Sequence, residues 1–533
     1  MQKFALNTKL PVAIVGAGPV GLTTALGLAH FGIPFILLED DSKLSMDTKA
    51  GSLLTRTLEV FHRFGVADKV LEKALRVDEI GEFERASNRM KLKVSPSLLR
   101  DETRFPFVIN LPQHDLEPVL AAHLEASGLG SLRFNNSFKK LEELQDRVKI
   151  TVDTPDGEEE IEASYLLACD GGRSAVRDHL GLTVEGHSLA GRYSLVDIKV
   201  DLDVENPRDY PYMSYFSDPD EWMVLVRQPQ CWRFLFPLPD DRESFTEQEL
   251  RDKAVHFIGD INNVEVLGSN IYMVHHRVAH DWRVGRCFLM GDAAHLITPM
   301  WALGLNTGVL DASNLPWRLA WVMREWADDA LLDGYEREQR PVAVNGSGEL
   351  AEAARHHMNA QGEQVNAMTD NDWGNAYTRT MLAVRLDVEG SGDWSMVKTA
   401  AEPPPVEVGD RAPDCLLHAS NGREIRLHDL FGSNFVALYF TDTRRRPQIP
   451  ENDFPGLKHF IVSRWDAPID SGIRDQSLLD SGDTMLERYG CSPDTLVLVR
   501  PDDHIAAICP IEHGKAEVLY RQITGQDMPK AQS

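Results

Sequence analysis

Apolar and polar positions along the chain follow two different periods. Val12–Val15, Phe35–Glu39, Tyr165–Cys169 and Arg286–Met290 are short runs dominated by apolar residues, the pattern of strands buried on both faces of a parallel sheet. Helical spacing separates them, over Val20–Phe31, from Thr55 or Arg56 to Phe64, over His114–Ser127 and over Val309–Arg324, with helical character continuing to about Ala360. Gly32-Ile-Pro34, Gly65 and Gly128 supply the stops. Between Leu132 and Ile161 the pattern becomes strand-like and polar, turning at Pro155-Asp-Gly157. From Gly186 to His280 period-two alternation dominates, as in Met223–Arg227 and Trp232–Phe236, with many aromatics. Glu402-Pro-Pro-Pro405 with Gly409 reads as a linker, followed by a compact α/β segment containing the apolar runs Phe435–Phe440 and Thr495–Val499.

These patterns predict an α/β chain of several parts. A Rossmann-like unit is interleaved with a mixed-sheet lobe, and a further α/β domain closes the chain. The expected boundaries are 1–180 for the first part of the nucleotide-binding unit, with a short lobe insertion at about 76–108. The lobe then spans 181–280, the second part of the unit with its helices 281–400, and the C-terminal domain 401–533. At 533 residues the chain is too long for one core.

The first strand runs into Gly16-x-Gly18-x-x-Gly21, which opens a helix, and the next strand delivers Glu39. In this order Gly16 makes the tight turn and Gly18 lets the backbone approach a pyrophosphate. Gly21 permits close helix–strand packing, and Glu39 accepts from ribose hydroxyls. The acid favours an unphosphorylated adenosine ribose. Asp170-Gly171-Gly172 and Gly291-Asp292 follow the other two buried strands, where open α/β sheets bind ligands. Glycines 304 and 308 around Asn306 suggest backbone N–H groups aimed at an acceptor.

Bulk properties narrow the partners. A formal net charge of −27 argues against nucleic acid and anionic membranes. No apolar run reaches about 18 residues and no basic-then-apolar leader is present, so neither a membrane span nor secretion is expected. The six cysteines are scattered and no histidine or cysteine spacing suits a metal, so no metal site is expected and the thiols read as reduced, cytoplasmic residues.

Together, Gly16-x-Gly18-x-x-Gly21 with Glu39, Asp170-Gly171 with Ser174 and Arg177, and Gly291-Asp292 with Pro299 and Gly304-x-Asn306-x-Gly308 resemble the single-component (group A) FAD-dependent aromatic hydroxylases, over about residues 10–345. These are the para-hydroxybenzoate hydroxylase-like flavoprotein monooxygenases. From Glu402 the chain resembles the thioredoxin-like C-terminal domain of the phenol hydroxylase and polyketide hydroxylase branch, without its CxxC. The resemblance implies bound FAD, NADH or NADPH as a transient electron donor, O2 as co-substrate and a small aromatic substrate. It also implies a cytoplasmic homodimer. The implied reaction is hydroxylation of a phenolic or other hydroxylated aromatic compound through a flavin C4a-hydroperoxide. Implied cofactor contacts are Gly16, Gly18, Gly21, Glu39, Arg56, Gln113, Asp170, Asp292, Pro299, Gly304 and Asn306. The blunt readings are a solvated or helix-end role for Arg56 and an N-terminal cap for Gln113.

Activating a phenol calls for a base or relay in the lobe. Tyr215, Tyr212 and His275 are candidates by residue type, and Arg233 is a candidate clamp for a substrate carboxylate. Alternatives are a flavoprotein reductase or oxidase, or a non-catalytic flavin-binding protein of the same fold. The flavin-dependent halogenases' Trp-x-Trp-x-Ile-Pro signature is absent. Two departures from the family pattern stand out. Trp301-Ala302-Leu303 occupies a loop usually rich in glycine, and Asp40-Asp41 follows the acid where relatives place an Arg.

Overall fold

The computed structural model describes residues 10–526, apart from 47–50, 201–209, 219–220, 240, 259–263, 298–299, 389–405, 443–453, 465–475, 483 and much of 352–384. The side chains of 187–191, 258 and 273–275 are also outside the description. The proline-rich linker, Pro299 and the side chain of His275 therefore lie outside the described residues.

A six-stranded sheet runs in the order 283–284, 287–289, 166–168, 12–15, 35–38 and 130–133. The strands from 287–289 to 130–133 pair in parallel, in the registers Leu289 beside Ala168, Ala168 beside Val15, Val15 beside Leu38 and Leu38 beside Arg133. This register decides where chemistry can occur. Gly16, Glu39, Cys169-Asp170 and Met290-Gly291 all emerge at one edge, at the carboxyl ends of neighbouring strands.

Helix α1 (Pro19–His30) leaves that edge and packs on helix α4 (Leu303–Met323), with α2 (Thr55–Arg63) and α3 (Gln113–Glu125) between them in sequence. Helix α4 is buried nearly all round, as an apolar helix without a polar stripe must be. Pro316 sits inside it, and Gly27 of α1 makes room, since a β-carbon there would come within 2.8 Å of the proline ring. The sequence expectation put the start of this helix at Val309; it begins at Leu303, so the Gly304–Gly308 stretch is helical rather than a loop. Burial of that first turn outweighs the low helix propensity of its glycines.

An eight-stranded sheet forms the lobe. It contains 184–199, 213–217, 223–227, 232–238 and 265–279, joined at one edge by 80–84 and 89–94 and at the other by 295–296. A small antiparallel sheet, 137–143, 148–154 and 157–163, carries the turn read at Asp156-Gly157.

The C-terminal residues build a seven-stranded sheet around Phe435–Thr441, every residue of which is buried. Its two faces serve different cores. Phe435, Ala437 and Tyr439 belong to the core of the nucleotide-binding unit, while Val436, Leu438 and Phe440 belong to a separate core within the C-terminal segment. Phe435 packs edge-on against Trp317 and obliquely against Trp321 of α4, at 5.6 and 5.9 Å between ring centroids.

Candidate functional site

A single groove of about 690 Å³ runs from the glycine loop to the lobe. Gly16, Gly18, Glu39, Gln113, Asp170, Asp292 and Gly304 line it at one end, and Leu195, Met213, Tyr215, Val224, Leu235 and Tyr272 at the other. Its size falls within the range of small-molecule sites.

The glycine loop is dictated by close approach. At Gly16 (φ +98°) a β-carbon would lie 2.4 Å from the Cys169 carbonyl oxygen, and at Gly21 it would lie 1.9 Å from the Gly16 oxygen. Gly18 differs, for a β-carbon there would meet no protein atom within 4 Å. It would instead project into the groove, at the N-terminus of α1, where backbone N–H groups and the helix dipole favour phosphate.

Glu39 accepts from the Ala17 N–H at 2.7 Å and from the Asp41 N–H at 3.2 Å. Burial first, and then the neighbouring Asp40, push its carboxyl up to about 7. Each oxygen keeps a lone pair for a ligand hydroxyl. Asp170 accepts from the Val176 N–H at 3.1 Å through Oδ2, whereas Oδ1 is buried with no hydrogen-bond partner, and burial raises its pKa. Such an orphan acceptor at the groove wall calls for a donor from a ligand. Asp292 is exposed on the turn after the 287–289 strand. That turn is held by Asp311, which accepts from the Gly291 N–H and pairs with buried His295, both at 2.8 Å. Gln113 is the first residue of α3 rather than its cap, which is Pro112. Its Nε2 donates to Glu117 Oε1 at 2.7 Å, and its side chain lines the groove.

Two expected cofactor contacts are placed elsewhere. Arg56 is 3% exposed and does not line the groove. Its guanidinium donates to Glu59, to Asp503 and to the Asp502 carbonyl oxygen at 3.0, 3.1 and 2.8 Å, so charge pairing turns it towards the C-terminal segment. Asn306 is a structural tie: its oxygen accepts from the Leu54 N–H and the Thr57 hydroxyl, and its nitrogen donates to the Ser52 and Ala302 carbonyls. With both polar atoms used, its side chain holds the approach to α2 against α4.

In the lobe, Tyr215 is buried with its hydroxyl 3.4 Å from that of Tyr377, and burial raises its pKa well above the ordinary phenol value. It is therefore a poor base at neutral pH. Tyr377 stacks on Trp301 with centroids 4.3 Å apart and planes within 8°. Trp301 and Ala302 both adopt left-handed backbone conformations, φ 56° and 58°, at the start of α4. Strain of about 1–3 kcal/mol at each such residue persists only where the surroundings over-determine it, here through the Tyr377 stack and the Asn306 bond to the Ala302 carbonyl.

Arg233 lines the groove but is neither a solvent-facing residue nor an open clamp. It is 5% exposed and grips Asp197 bidentately, at 2.8 and 2.9 Å, from the directly opposed position on the neighbouring strand. Its charge is matched inside the wall. Tyr212 has its carbonyl bonded to Asn110 and its ring edge-on to Trp232, outside the groove lining. His275 pairs with Ser188 along its strand. Sequence reasoning missed Asp197, Gln228, Tyr272 and Tyr377, none of which belongs to a local motif.

Among the described residues no helix is long and apolar enough to cross a membrane. The one cluster of metal-ligand type among the described residues is Glu39, Asp40 and Asp41, an acidic turn in which Glu39 is half-buried and the two aspartates are exposed.

Comparison with known proteins places this geometry. Residues 9–346 match the family model described as "FAD binding domain", and the chain belongs to that family. It is 29% identical over 351 residues to para-nitrophenol 4-monooxygenase of Pseudomonas sp. (strain WBC-3), covering 64% of this chain and 85% of that one. It is 28% identical over 530 residues, 93% of each chain, to a putative polyketide hydroxylase of Streptomyces halstedii. A 3-(3-hydroxy-phenyl)propionate/3-hydroxycinnamic acid hydroxylase of Mycobacterium sp. (strain JLS) is 33% identical over 355 residues, 63% of this chain and 58% of that one. Among solved structures, the flavin-dependent monooxygenase PieE in complex with FAD and substrate aligns with a TM-score of 0.79 at 22% identity, covering 98% of this chain and 100% of that one. Aklavinone-11 hydroxylase with FAD and aklavinone aligns with a TM-score of 0.78 at 24% identity and the same coverage. These two likenesses establish the fold.

Proposed function

We propose that this chain is an FAD-dependent, NAD(P)H-consuming monooxygenase that hydroxylates a phenolic or otherwise hydroxylated aromatic compound with O2. The observation that carries the reading is the continuity of one groove, from a phosphate-type glycine loop to an apolar, aromatic-bearing wall. The residues present fit FAD: the open space at Gly18, the Glu39 carboxylate and the orphaned Asp170 Oδ1 each await a ligand group. FAD bound there would supply electron transfer from the nicotinamide donor and activation of oxygen.

The protein's own contribution is placement and environment. Glu39 would accept from the adenosine ribose, the α1 N-terminus would hold the pyrophosphate, and Asp170, Asp292 and Gln113 would fix the chain that follows. Leu195, Met213, Val224 and Leu235 would enclose the aromatic ring and exclude water. Tyr215, too weak an acid to serve as base, would donate or relay through Tyr377 to a substrate oxygen. The Arg233–Asp197 pair adds no net charge, which favours neutral phenols over carboxylated ones.

We propose the same division of the chain that the sequence pattern predicts, 1–180, 181–280, 281–400 and 401–533. The C-terminal part is read as thioredoxin-like on the parallel run of strands 435–441, 457–464 and 477–480 flanked by antiparallel ones. Burial pushes its Cys415 and Cys491 thiols up to about 12 and 11, which does not suit thiolate redox chemistry. The resemblance further implies a cytoplasmic homodimer.

The test is aerobic NADH and NADPH oxidation by the flavin-loaded protein across neutral phenols, phenolic acids and polycyclic phenols, with peroxide assayed in parallel. Substrate-stimulated oxidation with little peroxide is expected. Bound FAD with no stimulation by any compound would favour a non-catalytic flavoprotein instead.

A further inference from the structure

Gln228 follows the strand Met223–Arg227 and lines the groove where the lobe meets the loop at Gly51–Ser52. It is 1% exposed, and neither Oε1 nor Nε2 has a hydrogen-bond partner. A buried carboxamide with both ends unmet is among the least favourable groups a protein can keep, and it persists where a ligand completes it. Its position is not slack. The Gln228 N–H donates to the Cys231 carbonyl at 2.8 Å, and the preceding Arg227 carbonyl accepts from Asn110 Nδ2 at 2.9 Å. Opposite lies Gly51, where a β-carbon would fall 2.7 Å from Gln228 Nε2, 3.2 Å from its Oε1 and 3.2 Å from an Arg233 nitrogen. The glycine lets the loop backbone come close to the carboxamide, which a side chain there would displace.

We infer that Gln228 is a cofactor-positioning residue, its carboxamide completed by the edge of the flavin ring that presents a carbonyl beside an imide N–H. The inference rests on the FAD reading of this groove. The adjacent oxygen and N–H of a carboxamide pair edge to edge with an imide N–H and carbonyl in two near-linear bonds, whereas a single phenol oxygen, though it both donates and accepts, meets both atoms only through bent ones. Its place agrees: Gln228 faces the loop on the nucleotide-binding side, whereas the groove beyond it is walled by apolar Met213, Val224 and Leu235.

The experiment uses the full chain stripped of flavin and titrated with FAD and with N3-methyl-FAD, which lacks the imide proton, by flavin fluorescence. The wild type is expected to bind the methylated analogue about tenfold more weakly (about 1.4 kcal/mol). Q228L is expected to bind FAD about tenfold more weakly and to lose most of that discrimination. Equal binding of both flavins by the wild type overturns the inference whether or not the variant folds. So does a Q228L protein with wild-type FAD affinity, including one in which only the KM for the aromatic substrate rises, which would assign the carboxamide to substrate. A wild-type chain that takes up no FAD at all would instead reject the FAD reading itself.

Discussion

Arg500 ties the C-terminal segment to the nucleotide-binding unit through charges fully removed from water. Its guanidinium donates to Asp502 at 3.0 and 2.5 Å and to Glu338 at 3.0 and 2.8 Å, and Arg318 reaches the same Glu338 at 2.6 Å. Asn314 and the Trp317 indole complete Asp502, each at 3.1 Å. Two cations and two anions balance. Replacing Arg500 by Met leaves two buried carboxylates with Arg318 as their one buried cation and the half-exposed Arg337 3.8 Å from Glu338, a broken buried pair that costs about 3–5 kcal/mol. For a unit this size the melting temperature should fall by roughly 10 °C. The double variant R500M/D502N removes one charge of each sign, keeps the Arg318–Glu338 pair and should recover most of that loss. The assay is thermal unfolding followed by tryptophan fluorescence, with limited proteolysis of the C-terminal segment. The pH dependence gives a second reading. Burial pushes Glu338 up, but Arg318 and Arg500 outweigh it and hold the carboxyl at about 2. A depressed carboxyl stabilises the fold above its unfolded pKa, near 4, and that contribution is lost as pH falls towards 2; R500M should lose it at higher pH. An R500M melting point within about 2 °C of wild type, or a double variant worse than the single, would refute the reasoning.

Further expectations concern the groove. Because the Glu39 carboxyl is raised to about 7, its contribution to apoprotein stability declines as pH rises from about 4.5 through 7. FAD affinity has the opposite trend: ribose hydroxyls donate to the charged form, so binding should strengthen as pH rises to about 7 and then level off, by calorimetric titration, and E39Q should flatten the profile. D197N frees the Arg233 guanidinium and should lower KM for carboxylated phenols several-fold relative to neutral ones; an equal change for both would show that the pair does not control charge preference. Y215F should slow turnover while leaving the pH profile of kcat/KM in place, since Tyr215 is not the titrating base; loss of the acidic limb would make it one.

Local sequence was a good guide where local backbone geometry decides the structure. The Gly16–Gly21 loop is legible because a β-carbon at Gly16 or Gly21 would strike backbone, and α1 was expected at Val20–Phe31 and runs Pro19–His30. Glu39, Asp170 and Asp292 could be placed because each follows a recognisable buried strand and the parallel register brings the strand ends together. Arg56 was illegible for the opposite reason: its partners Asp502 and Asp503 lie far along the chain, and only docking of the C-terminal segment brings them near. The same holds for Arg233, whose partner Asp197 is a cross-strand neighbour with no motif to announce it. Asn306 sits in a recognisable glycine pattern, yet the pattern does not say that all its hydrogen-bonding capacity is spent within the protein.

The buried charges shared with the C-terminal segment also impose an order on synthesis. Helix α2 carries Arg56 and Glu59, and Glu59 is bound by Arg411 at 2.8 Å through Nε, while Arg56 and Arg63 meet at Asp503. A nascent chain that has left the ribosome only as far as residue 400 holds every nucleotide-binding motif. It still lacks the countercharges for α2 and the sheet that covers Trp317 and Trp321. The helix bonded to Asn306 at the groove's edge cannot settle into its final electrostatic surroundings until the last strands emerge. The α2 edge of the groove would then reach its final surroundings only once the whole chain is made, and in the interval the uncovered indoles would be exposed apolar surface of the kind that favours aggregation.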